Sequence, residues 1–393
     1  PEAVSRMPST RVHNLVWALF LAVSAFLPLS LPSSAQTLAK VPDVTAQAVY
    51  VYDATADQVL SASNEDERRA PASTIKIVTA MVVIDNVPLD SQVVVDAQDV
   101  TDPESGESTM GLFAGDTLTV DQLLTGLLLP SGNDAARTLA RFVGTQLLNG
   151  DSGDPIERFV QAMNDKIAAA GLTNTQATSP DGFSDSDDMY TTASDLAHLG
   201  ALAMGYEEIA SIAKLATAEV TSIGPEAHVM GIKNTNQFLP DSGYDYATDG
   251  VIGLKSGSTT KAGACLVLAE QERGGNLVIA VVLGSDLAYN DETGMIEVDA
   301  RWDDMRSLLG AVDDTFAWLN PESNNDVPGL KDEMAAWQVS LVDDSALIVP
   351  SDQAKQITYQ MQLNAIGPSK SDAGRVLFFA GSQQIAERPL VFR

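Results

Sequence analysis

Three short elements far apart in this 393-residue chain constrain its fold more than anything else in it. Ser73-Thr74-Ile75-Lys76, Ser131-Gly132-Asn133 and Lys255-Ser256-Gly257 occur in that order with wide gaps between them. Each carries the side chains for one part of a serine acyl-transfer site, so a working version needs a fold that gathers all three. Singly they are weak. Ser-x-x-Lys recurs at Ser211 to Lys214 and at Ser258 to Lys261, and a second Ser-x-Asn lies at Ser323 to Asn325. Ser-Gly-Asn is also an ordinary turn and Lys-Ser-Gly an ordinary strand end. Only one combination satisfies the full order with wide spacing.

The chemistry these residues can perform follows from their types and spacing. On a helix, residues three apart share a face, which puts the amine of Lys76 beside the hydroxyl of Ser73. A serine hydroxyl is a poor nucleophile until a neighbour takes its proton. A lysine can take it only when burial or nearby positive charge lowers its pKa, and Lys255 is the candidate for that charge. Ser73 at a helix N-terminus aims free backbone N–H groups at the reacting carbonyl, half of an oxyanion hole. The N–H of Ser258, on a strand through Val251 to Ser258, supplies the other half, each donor being worth about 2.7–4 kcal/mol in the transition state. Gly257 keeps that edge uncluttered. Ser131 can relay a proton to a leaving amine, Asn133 can hold a peptide-like amide, and Ser256 with Lys255 can bind a carboxylate.

Composition narrows the setting. An apolar fraction of 45% is that of an ordinary globular protein. The formal net charge of −30 argues against nucleic acid, since a phosphate backbone is bound by Lys and Arg; a solvated acidic surface is the simpler reading. Arg6, Arg11 and His13 precede the apolar stretch Leu15 to Leu31, which closes on Pro32-Ser33-Ser34-Ala35-Gln36. Residues 1–35 therefore read as an export signal, with an uncleaved membrane segment as the rival. Cys265 is the only cysteine, so no intrachain disulfide forms, and it reads as a small buried hydrophobe on a strand. Export without disulfides points to a bacterial cell envelope, either periplasm or extracellular face.

Local patterns place the three elements. Ala46 to Asp53 and Gln58 to Ser61 form a hairpin around Ala54-Thr55-Ala56-Asp57. A helix runs from Ser73 to Ile84 after Pro71. Thr119-x-x-Gln122 is a capping-box signature for a helix through Leu129, followed by a new helix from Asp134 to Val143, with Ser131 and Asn133 on the tight loop between them. Asp154-Pro155 opens a helix ending at Gly171, and Thr192 to Met204 and Tyr206 to Ala216 read as two more. Val251 to Ser256, Ala262 to Glu270 and Leu277 to Gly284 are strands, and Val298 to Leu319 reads as one long amphipathic helix. Pro321 to Leu330 reads as a linker. Residues 36–320 thus form the expected catalytic domain and residues 321–393 a small all-β domain, with strands near Trp337 to Val342, Gln356 to Leu363 and Arg375 to Phe379.

Together these residues resemble the serine-type D-alanyl-D-alanine carboxypeptidases, the low-molecular-mass penicillin-binding proteins, over about Ala46 to Leu319. Arg69-Ala70-Pro71-Ala72, Ala177-Thr178-Ser179-Pro180-Asp181-Gly182, Asn234-Thr235-Asn236, Asp249-Gly250-Val251-Ile252-Gly253-Leu254 and Ala262-Gly263 carry further likeness. The resemblance implies an α/β (α+β) fold of the β-lactamase/transpeptidase type, an antiparallel sheet packed by helices beside a helical lobe. It implies removal of the terminal D-Ala from peptidoglycan stem peptides through an acyl-serine, acylation by β-lactams and no cofactor. Ser73, Lys76 and Ser131 are then catalytic, and Asn133, Lys255, Ser256, Gly257, Ser258 and Arg301 bind substrate. Arg301 resembles a family arginine that holds the substrate carboxylate, the alternative being a helix-surface charge. Ser256 replaces the family's usual threonine, keeping a hydroxyl and losing a methyl group, and Ile75 stands where a polar residue is frequent.

Three other functions fit the sequence less well. A class A β-lactamase would need a glutamate for its deacylating water, and no Glu-x-x-Leu-Asn element lies between Asn133 and Lys255. A non-catalytic binder of cell-wall peptides is disfavoured by the intact Ser73, Lys76, Ser131 and Lys255. A zinc peptidase lacks ligands, with only His198 and His228 beyond the apolar segment.

Overall fold

In the computed structural model, residues 37–393 are described except 103–104, 185, 272, 291–292 and 366. The expected export signal or membrane segment lies outside the described residues, among which no helix is long and apolar enough to cross a membrane.

The chain enters as the expected hairpin, β1 (Ala48–Asp53) and β2 (Gln58–Ser63). A 3₁₀ turn (Ala72–Ile75) runs into α1 (Lys76–Asn86). Every residue from Lys76 to Val83 is buried, which accounts for a helix that is apolar on all sides. Next come β3 (Gln92–Val94) and β4 (Thr117–Thr119), then α2 (Val120–Leu128), which opens on the expected capping box of Thr119 and Gln122. The helical lobe continues through α3 (Asn133–Leu148), α4 (Pro155–Ala169), α5 (Ala193–Met204) and α6 (Glu207–Ala213). An antiparallel hairpin, β5 (Thr217–Thr221) and β6 (Val229–Lys233), follows. Then β7 (Val251–Thr259), β8 (Gly263–Glu270) and β9 (Val278–Ser285) return to the first hairpin.

Among the described residues these strands make one antiparallel sheet in the order β2-β1-β9-β8-β7. Its central strands are buried on both faces. Tyr50, Tyr52, Val267 and Val281 join the core shared with the helical lobe, whereas Val49, Val51, Leu268 and Val282 join a second core on the opposite face. Two covered faces explain the near-continuous apolar runs in β8 and β9. The strand order places β7 at an edge, and its free side faces the 3₁₀ turn.

The expected helix over 298–319 is α7 (Arg301–Thr315) with a strand at each end. Before it, β11 (Ile296–Asp299) pairs with β10 (Leu287–Tyr289). After it, β12 (Phe316–Leu319) pairs with β14 (Leu347–Pro350), from Phe316 opposite Pro350 to Leu319 opposite Leu347. A strand partner remote in sequence overrides the helical pattern here. The C-terminal region is not all strand: α8 (Leu330–Ala336) precedes β13 (Val339–Leu341). β15 (Ile357–Leu363), β16 (Asp372–Ala380) and β17 (Gln383–Phe392) complete a sheet ordered β13-β17-β16-β15 over its own core, which includes Val327, Met334, Val376 and Phe378. Buried Asp53 ties this region to the main sheet. Its Oδ2 accepts from Asn276 Nδ2 at 2.9 Å and from Trp318 Nε1 at 3.0 Å, and Asn276 Oδ1 accepts from Ala346 N at 3.0 Å.

Gly144 sets how closely α3 and α4 cross. A Cβ at that position would lie 1.9 Å from the carbonyl oxygen of Pro155. Backbone cannot step aside as a side chain can, so Gly144→Ala is expected to cost about 1–3 kcal/mol. Urea unfolding should show a lower midpoint at an unchanged slope, the signature of lost stability without a changed denatured state.

Candidate active site

The turn bearing Ser73 is held from within. Thr74 Oγ1 donates to Pro71 O at 2.6 Å, and Ala72 adopts a left-handed φ of 48° just before Ser73. A left-handed alanine costs roughly 1–2 kcal/mol. Lys76, three residues on and fully buried, donates from Nζ to Ser73 Oγ at 2.8 Å, to Asn133 Oδ1 at 2.6 Å and to the backbone carbonyl of Asp181 at 2.8 Å. Two of these partners only accept. A neutral amine that donates to the Asn133 and Asp181 oxygens has its lone pair left for the third contact, Ser73 Oγ.

The second element sits on the short connection from α2 to α3. Ser131 has a left-handed φ of 65°, and its Oγ is buried with no hydrogen-bond partner among the described residues. Asn133 is the first residue of α3. Its Nδ2 donates to Glu107 Oε2 at 2.8 Å, and its backbone N donates to Ser108 O at 2.8 Å. Asp134 then accepts from the backbone N of Met110 at 3.0 Å and of Leu112 at 3.1 Å. The loop between β3 and β4 is thereby pinned to the start of α3.

The third element lies on β7. A Cβ on Gly257 would sit 2.7 Å from the backbone N of Ser73 and 2.9 Å from that of Thr74. Only glycine allows this close approach. Ser256 Oγ shares a 2.7 Å hydrogen bond with Thr235 Oγ1, and Lys255, 1% exposed, donates to Ser256 O at 2.8 Å. Ser258 is half-buried on the same strand. Arg301, at the start of α7, is buried and not a helix-surface charge. It donates to both carboxylate oxygens of Asp299, at 2.6 and 3.0 Å, and to the carbonyls of Gly257 at 2.7 Å and Cys265 at 3.1 Å. Its guanidinium therefore grips the strand that carries Gly257.

Burial pulls the Lys76 amine down to about 8, Asp181 opposes that, and Arg137 adds to it. Lys255, the expected source of the lowering charge, is itself the group that Lys76 lowers. Burial, then Lys76, then Arg301 hold Lys255 well below its ordinary range. The cation acting on Lys76 is Arg137, which bridges Glu107 and places Nε 3.0 Å from Asp181 Oδ2.

The structure thus brings Ser73, Lys76, Asn133 and the Gly257 edge into contact and sets Ser256, Lys255 and Arg301 along β7. Sequence reasoning missed Glu107, Asp134 and Arg137. Arg137 lies four residues after Asn133 and so on the same helix face, a signal that was available. Glu107 sits in an irregular loop that offered none. Asp181 and Thr235 stand out in the sequence only as parts of segments with family likeness.

Residues 35–287 match the peptidase family described as D-alanyl-D-alanine carboxypeptidase. The D-alanyl-D-alanine carboxypeptidase DacB2 of Mycobacterium tuberculosis is 35% identical over 245 residues, which cover 62% of this chain and 77% of that protein. The D-alanyl-D-alanine carboxypeptidase DacD of Escherichia coli is 28% identical over 390 residues, or 95% of this chain and 91% of that one. The crystal structure of the Streptomyces K15 DD-transpeptidase superposes with a TM-score of 0.59 at 31% identity, covering 69% of this chain and 98% of that one. A match over most of the main sheet and helical lobe, shared with solved structures of the same architecture, settles the assignment: the chain belongs to the D-alanyl-D-alanine carboxypeptidase family of serine peptidases.

Proposed function

We propose that Ser73 attacks the amide between the last two D-Ala residues of a peptidoglycan stem peptide. Lys76 Nζ takes the hydroxyl proton as the Ser73 Oγ–carbon bond forms. The negative charge that develops on the carbonyl oxygen meets the backbone N–H groups of Ser73 and Ser258. The carbon–nitrogen bond then breaks, and a proton passed through Ser131 leaves with the amine of the released D-Ala. Water next attacks the acyl-serine, the ester bond to Oγ breaks, and Ser73 recovers its proton. Asn133 orients the peptide amide, and Ser256 with Lys255 receives the terminal carboxylate. Arg301 supports that edge from behind through Gly257 O and adds positive charge to it.

One observation carries this reading: the buried amine of Lys76 stands 2.8 Å from the Ser73 hydroxyl while its other two contacts are pure acceptors. The same arrangement opens the strained amide of a β-lactam, whose leaving amine stays tethered and obstructs the water. The substrate lies in the cell wall, so the site of action is the bacterial envelope, with residues 1–35 serving export or attachment.

Labelled penicillin should appear on Ser73 by mass spectrometry of the intact protein and persist for minutes or longer. Ser73→Ala should take up none. Rapid loss of the label would instead indicate a β-lactamase, and stem-peptide binding without D-Ala release would indicate a non-catalytic binder.

A second expectation concerns pH. The amine is a base only when neutral, and its pKa is lowered to about 8. Acylation rates should therefore rise with pH up to about 8 and level off above it. Lys76→Ala should lower the plateau by roughly 10²- to 10⁴-fold, the usual worth of a positioned base.

A further inference from the structure

Lys76 and Asn133 belong to a closed ring of side chains that extends beyond the three sequence elements. From Lys76 it passes to Asn133 Oδ1, from Asn133 Nδ2 to Glu107 Oε2, and from Glu107 to Arg137. It returns from Arg137 Nε to the Asp181 carboxylate and from the Asp181 carbonyl to Lys76. An asparagine amide can turn over, exchanging its donor and acceptor ends at almost no steric cost. In the reversed state Nδ2 would face Lys76, donate to a neutral amine and occupy the lone pair needed for Ser73. A carboxylate accepts and cannot donate, so Glu107 permits only the orientation with Nδ2 towards itself.

Resting on the acyl-serine reading above, we propose that Glu107, held in place by Arg137, is a positioning residue that fixes the orientation of the Asn133 amide and so keeps the Lys76 lone pair directed at Ser73. Glu107 and Arg137 bond through the same Oε2 that accepts from Asn133, so the arginine also limits where that oxygen can lie. The charged groups acting on Lys76 come from several elements: Asp181 from the loop before α5, Arg137 and Asp134 from α3, and Glu107 from the loop between β3 and β4. Lys255 on β7 is in turn lowered by the Lys76 charge. Within this set Glu107 favours the charged amine and Arg137 disfavours it.

Acceptor and charge can be separated by substitution. Glu107→Gln retains an oxygen that can accept from both Asn133 and Arg137 but loses the charge. Its acylation plateau with labelled penicillin should stay within about threefold of the parent, and its acidic limb should move to lower pH. Glu107→Leu loses the acceptor, and its plateau should fall tenfold or more, in line with the cost of small misplacements near reacting atoms. Arg137→Gln should move the limb to higher pH. Thermal melts followed by circular dichroism identify variants that are folded.

The pKa of Lys76, followed by NMR of lysine labelled with carbon-13 at Cε and assigned with Lys76→Arg, gives a readout independent of turnover. Opposite movements in Glu107→Gln and Arg137→Gln support the proposal. A parent-like plateau in folded Glu107→Leu, or an unmoved Lys76 titration in both amide variants, overturns it. Failure of the parent protein to be acylated on Ser73 would instead defeat the underlying reading, and the NMR titration would still decide on the ring.

Discussion

A primary amine sealed from water at the first residue of α1 sets the terms for the rest of the active site. Removing Lys76 from solvent disfavours its charged form, and that is the largest influence on it. A buried amine also needs partners for each N–H. Asn133 and the Asp181 carbonyl meet that need with acceptors alone, which leaves Ser73 as the group the lone pair can meet. That lowering, to about 8, brings the neutral amine within reach near neutral pH. Burial thus makes the neutral form accessible while leaving the amine its basicity.

The lysine can be buried because the helix bearing it is buried. Residues of α1 pack into the core shared by the sheet and the helical lobe, and the 3₁₀ turn ahead of it is pressed against β7. Ser73 therefore sits where the innermost helix meets the edge strand of the sheet. Fold and chemistry share one requirement, a helix long and apolar enough to pass through the middle of the protein.

Much of this was legible in the sequence because it is local. The hairpin around Asp57, the capping box of Thr119 and Gln122, and the three-residue spacing of Ser73 and Lys76 each follow from a few adjacent residues. Features set by remote partners were not. Phe316 to Leu319 continues a helical pattern and becomes a strand only because Leu347 to Pro350 lies alongside. β5 and β6 bury little beyond Val220, Met230 and Ile232, and so left too faint an apolar alternation to read. Glu107 reaches Asn133 across 26 positions from an irregular loop, and no periodicity could have linked the two.

The lack of a side chain at Gly257, opposite Ser73, has a consequence for selectivity. No atom beyond the backbone fits at Gly257, since a Cβ would intrude on the amides of Ser73 and Thr74. At Gly257 that rim offers no side chain to read what a bound peptide presents there. Discrimination between stem peptides at that point would have to come from side chains elsewhere around Ser73.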